Sequence, residues 1–134
     1  MHCGPVPRTC ETPNRSVANP LTCILVADDS RQYAELLRAT LEEAGYDVVT
    51  AYSGLSAIAA VQQHDVGLAV LDVLMPGISG DAVAERLRQL DPTLPVVLMT
   101  GHAGDDYAAA SGLPVLHKPF PEEALVEAVR ELMA

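Results

Sequence analysis

Five times after residue 20, a short apolar run gives way to a segment whose apolar side chains recur at helical spacing. The first run, Cys23 to Ala27, has no polar residue, as expected of a strand buried on both faces. Residues 31 to 44 follow with Tyr33, Leu36, Leu37, Leu41 and Ala44 in helical register, Ser30 placed to cap the helix and Gly45 to end it. A second strand is predicted over Asp47–Ala51, and Ser53 opens a helix through Leu55, Ile58, Ala59 and Val61. The third strand, residues 66 to 73, is the most apolar, and its helix carries Val83, Ala84, Leu87 and Leu90. A fourth strand, residues 95 to 99, leads to a short, weak helical segment near 105 to 110. A brief strand at Val115–His117 precedes a last helix from about Pro121 that should bury Leu125, Ala128, Val129, Leu132 and Met133. Successive strand–helix units dictate an α/β fold, a parallel sheet with helices on both faces. Ligands of such sheets bind beyond the carboxyl ends of the strands, where the strand order reverses.

Composition narrows the function. The 134 residues suit one domain with a core of its own, and 49% of them are hydrophobic. A net charge of −10 repels phosphate backbones, and 4% aromatic residues without Trp offer no stacking platform, so no nucleic-acid partner is expected. No apolar run approaches the ~18 residues of a membrane span, and no signal peptide is legible. Cys3, Cys10 and Cys23 lack CxxC spacing and read as reduced thiols of a cytoplasmic protein. Residues 1–20, punctuated by Pro5, Pro7, Pro13 and Pro20, are expected to be a disordered leader or linker, and residues 21–134 the domain. His2, Cys3 and Cys10 lack a fourth ligand at the usual spacing for a metal site.

Polar residues gather where the strands end. Asp28 and Asp29 follow the first strand, Asp72 interrupts the end of the third, Thr100 follows the fourth and Lys118 the fifth. Any one alone is an ordinary turn, capping or surface residue. Together they converge on one rim of the sheet. Three carboxylates there would repel one another unless a cation joined them, and oxygen-only ligands suit magnesium, Mg2+. A lysine and a hydroxyl beside such a site suit a phosphoryl group neutralised from several sides.

These residues stand in four motifs: Ile24-Leu25-Val26-Ala27-Asp28-Asp29, the run from Leu71-Asp72 through Met75-Pro76-Gly77 to Gly80, Leu98-Met99-Thr100-Gly101, and Lys118-Pro119-Phe120. In this order and spacing the chain resembles the receiver domain of bacterial two-component response regulators, from about Thr22 to Met133. The resemblance implies a flavodoxin-like, doubly wound five-stranded sheet of order 2-1-3-4-5. It also implies a signalling protein that catalyses only its own phosphorylation and dephosphorylation. Asp72 would be the phosphoacceptor and Asp29 a direct magnesium ligand. Asp28 would act largely through water, and the backbone carbonyl of Leu74 would complete the protein's share. Thr100 would bond one phosphoryl oxygen and Lys118 another, with Lys118-Pro119 cis. The phosphoryl donor would be a histidine kinase or histidine phosphotransfer protein, and output would come from partner binding or relay.

Three features depart from the family pattern. Val115 stands where an aromatic switch residue is common. The segment between Thr100 and Lys118 is short, so its helix is stunted, and activated dimers through that face are not expected; a monomer is. The sequence ends at Ala134, so no output domain is expected. It could be a stand-alone regulator or the receiver of a hybrid kinase. His102 and Leu74 should flank the path of a hydrolytic water, while His64 and His117 need no function. Two other classes are weaker. A phosphohydrolase with an Asp nucleophile would want an acid where Leu74 stands, and a degenerate docking module would not keep all five site residues.

Overall fold

The computed structural model describes residues 23–101 and 112–133. Its elements are β1 (Cys23–Ala27), α1 (Arg31–Glu43), β2 (Asp47–Ala51), α2 (Gly54–Gln63), β3 (Val66–Asp72), α3 (Gly80–Leu90), β4 (Val96–Thr100), β5 (Val115–His117) and α4 (Glu122–Met133). All strand pairs are parallel, in the order β2-β1-β3-β4-β5. This is the doubly wound order the resemblance implied. The reversal lies at β1, which pairs with β2 through Ala27↔Ala51 and with β3 through Ala27↔Leu71.

Strand periodicity divides the core in two. Ile24, Val26, Leu68, Val70, Val97 and Met99 point to one face, where α1 brings Ala34, Leu37 and Leu41 and α4 brings Leu125 and Val129. Leu25, Ala27, Ala69, Leu71, Val96 and Leu98 point to the other, against Ala57 and Ile58 of α2 and Val83, Ala84 and Leu87 of α3. Burial of each Leu, Ile or Met in these layers contributes about 1.5–3 kcal/mol. The central strands therefore tolerate no polar residue before their carboxyl ends.

Local signals set the helix ends. Ser30 caps α1 by accepting from the Tyr33 amide, and the chain turns at Gly45 with φ +105°. Ser53 and Ser56 form a reciprocal capping box on α2. The last helix buries Leu125 and Val129 fully, with Ala128, Leu132 and Met133 partly covered. Leu36, Leu55 and Leu90, in register with the apolar stripes, are instead exposed at their margins. Thr100 is the last residue of β4 rather than the first beyond it. The expected helix near 105–110, the leader, and His102 lie outside the described residues. Cys23 is disulfide-bonded, which corrects its reading as a reduced thiol; Cys3 and Cys10 are outside the described residues. Among the described residues no helix is long and apolar enough to cross a membrane.

Candidate functional site at the carboxyl rim of the sheet

The carboxyl ends of β1 and β3 place acidic groups side by side. Asp28, Asp29 and Asp72 each offer a carboxylate oxygen within 4.8 Å of the others. Asp28 and Asp72 are buried, while Asp29 faces solvent. The chain holds Asp28 firmly: its amide donates to the Ala51 carbonyl at 3.1 Å, and its Oδ1 accepts from the Ser30 amide at 2.8 Å. Among the described residues, Asp72 Oδ1 has only a long contact, 3.4 Å, from the Leu74 amide. Such a bond is weak.

Lys118 enters from the fifth strand. Its amide donates to the Thr100 carbonyl at 2.8 Å, continuing the ladder one residue past β5, and the Lys118-Pro119 bond is cis. Its ammonium donates to Asp28 Oδ2 at 2.7 Å and lies 3.4 Å from Asp72 Oδ2. Thr100 is buried, and its hydroxyl donates to the Gly101 carbonyl at 2.7 Å.

These contacts set the electrostatics. Burial, then the neighbouring Asp28 charge, raise the Asp72 carboxyl to a pKa of about 6, against the opposing pull of Lys118. Burial alone would lower the Lys118 ammonium, but its hydrogen bond to Asp28 and the charges of Asp72 and Asp28 hold it above its usual value. Among the described residues, the two buried carboxylates share a single ammonium, that of Lys118. The donor set among the described residues, three carboxylates within reach of one ion and no nitrogen or sulfur, fits a hard divalent cation such as Mg2+.

Backbone packing fixes where Asp72 sits. The Gly80 amide at the start of α3 donates to the Val73 carbonyl at 2.6 Å. A methyl group on Gly80 would fall 2.2 Å from the Asp72 carbonyl oxygen, so only glycine lets the helix start press against the end of β3. Sequence reasoning quoted Gly80 within a motif without giving it this role. It also missed that Lys118 bonds Asp28 more closely than Asp72, and that Tyr33 and Phe120 stand beside the lysine.

Known proteins share this sequence pattern and this fold. The response regulator receiver domain family matches residues 24–130. A relative from Brucella abortus, the response regulator receiver protein CpdR, is 32% identical over 114 residues, covering 82% of this chain and 95% of CpdR. TcrX of Mycobacterium tuberculosis, described as a probable transcriptional regulatory protein, is 38% identical over 123 residues, covering 89% of this chain. The chain spans about half of TcrX (52%) and about a quarter of the DctD proteins of Rhizobium meliloti (24%) and Pseudomonas aeruginosa (25%), which are named as C4-dicarboxylate transport transcriptional regulators. Among solved structures, a response regulator receiver protein from Sinorhizobium medicae superposes with a TM-score of 0.78 at 31% identity, covering 84% of this chain and 94% of that one. A receiver domain from Clostridium thermocellum gives 0.79 at 26% identity, covering 84% and 94%. The chain belongs to the response regulator receiver domain family.

Proposed function

We propose that Asp72 accepts a phosphoryl group from the phosphohistidine of a histidine kinase or phosphotransfer protein, in a magnesium-dependent reaction. The observation that carries this is the Lys118 ammonium shared by Asp28 and Asp72 where three carboxylates crowd one rim. An ionised Asp72 oxygen attacks phosphorus in line as the bond from phosphorus to the imidazole nitrogen breaks. The bonding pair returns to that nitrogen, and with a proton on the other ring nitrogen the imidazole leaves neutral. The residues that would hold Mg2+ are Asp29, Asp28, Asp72 and the Leu74 carbonyl; when bound it neutralises charge on the transferring oxygens.

Lys118 exchanges Asp28 for a phosphoryl oxygen, and the Thr100 hydroxyl turns from Gly101 to another. The new group adds roughly −1.5 to −2 charge at the rim, and the segment after Thr100 responds to it. Output is binding of a protein partner or relay of the phosphoryl group, from a cytoplasmic monomer that turns over no other substrate. The test is incubation with acetyl phosphate and magnesium. One base-labile, hydroxylamine-sensitive phosphoryl group per chain is expected, absent after chelation. Label at another residue would overturn the assignment.

A further inference from the structure

Lys118 is held by more than carboxylates. Its Nζ lies 4.6 Å from the centre of the Tyr33 ring, within cation–π range. The Phe120 ring meets Tyr33 edge-on, with centroids 6.2 Å apart and planes at 72°. Both rings pack onto the α1/α4 side of the core. Tyr33 stands in the first turn of α1, where its amide donates to the Ser30 hydroxyl at 3.2 Å, while the Ser30 amide donates to Asp28 Oδ1. One carboxylate thus grips the ammonium through Oδ2 and, through Ser30, seats the turn that carries the ring.

We propose that Tyr33 is a positioning residue for Lys118, its ring face keeping the ammonium at the rim as it passes from Asp28 to an oxygen of the phosphoryl group. This role rests on Asp72 being the phosphoacceptor. A ring suits the task better than another oxygen would. A carboxylate or carbonyl at that place would hold the ammonium by a directed hydrogen bond and withhold it from the phosphoryl group. The attraction of a ring face is broader and lets the ammonium slide. The partly buried Phe120 ring, packed edge-to-face with Tyr33, keeps the tyrosine ring from turning away. The tyrosine hydroxyl has no part in this, so phenylalanine should serve as well.

The experiment compares wild type with Tyr33→Phe, Tyr33→Leu, Lys118→Ala and the Tyr33→Leu/Lys118→Ala double variant. Binding of beryllofluoride, a phosphoryl mimic, is measured by calorimetry in magnesium. Tyr33→Leu should weaken binding by roughly 5- to 10-fold, the size of a partly buried cation–π contact, and Tyr33→Phe should stay within about twofold of wild type. In the Lys118→Ala background, Tyr33→Leu should cause no further loss. A second readout needs no phosphoryl mimic: the Lys118 Cε protons should be shifted upfield by the ring in wild type and Tyr33→Phe, but not in Tyr33→Leu. Equal losses in both lysine backgrounds would overturn the proposal, as would a Tyr33→Phe defect as large as that of Tyr33→Leu. Absence of the ring shift in wild type would overturn the positioning role alone. A wild type that shows the shift yet binds no beryllofluoride would overturn the phosphoacceptor reading beneath it.

Discussion

On the α2/α3 side of the sheet two glycines have no room for a side chain, whereas the α1/α4 side is built on rings. A methyl group on Gly54 would meet Val83 at 2.9 Å, and one on Gly80 would meet the Asp72 carbonyl at 2.2 Å. Opposite, Tyr33, Tyr46, Tyr52 and Phe120 lean on the core; both sides carry a surface groove, about 510 Å³ between α1 and α4 and about 360 Å³ past His64 and Leu90 at the ends of α2 and α3. The contrast divides the work at the rim. The tight face fixes the backbone of Asp72, which in the proposed reaction presents an oxygen in line. The ring-built face supports Lys118, which in that proposal changes partners.

The sharpest test of this contrast is Gly80→Ala. Its methyl group meets backbone, which cannot swing aside, so a loss of about 3 kcal/mol is expected in urea unfolding, together with slower phosphorylation. A loss below about 1 kcal/mol would mean that the tight face yields as readily as the ring-built one.

A smaller effect follows from the charge on Asp72. Its folded pKa of about 6 lies above the ordinary 3.8, so the folded protein binds this proton more tightly than the unfolded chain does. Without metal, stability should therefore fall as pH rises from about 4 through 6 and level off above that. Asp72→Asn escapes this loss and should be more stable than metal-free wild type at pH 7.5, on the order of 1–2 kcal/mol after allowance for solvent screening. Magnesium should narrow the gap. Thermal melts of both proteins across this pH range, with and without magnesium, provide the check; a wild type steadily stabilised from pH 4 to 6 would contradict the sign.

Ser30→Ala is expected to do least. It removes the α1 cap that seats Tyr33, at a cost of about 1 kcal/mol, and should leave the Asp28 contact with the residue-30 amide intact. Chemical denaturation measures the cost. A change in phosphorylation rate as large as that of Lys118→Ala would show that the turn bears on the site more than these contacts imply.

Strand ends are local features, and so Asp28, Asp29, Asp72, Thr100 and Lys118 could be gathered on one rim from the order of apolar runs alone. The caps at Ser30 and Ser53 were legible for the same reason. Pairings across the sheet were not. Lys118 and Asp28 stand 90 positions apart, and their 2.7 Å bond depends on how β5 and β1 are spaced by β3 and β4. The contact of Gly80 with Asp72 depends on how steeply α3 leaves the sheet, which no periodicity encodes. Leu36, Leu55 and Leu90 show the limit of helical spacing itself: it identifies a stripe, but tertiary packing decides how wide a stripe is covered.

The central claim is that Asp72 is the residue the rim was built to phosphorylate. Its most direct measurement is intact-protein mass after brief exposure to acetyl phosphate and magnesium, for wild type and Asp72→Asn side by side. The account predicts a gain of one base-labile, hydroxylamine-sensitive phosphoryl group, about 80 Da, on wild type and none on Asp72→Asn. An equal gain on the Asp72→Asn protein would contradict it.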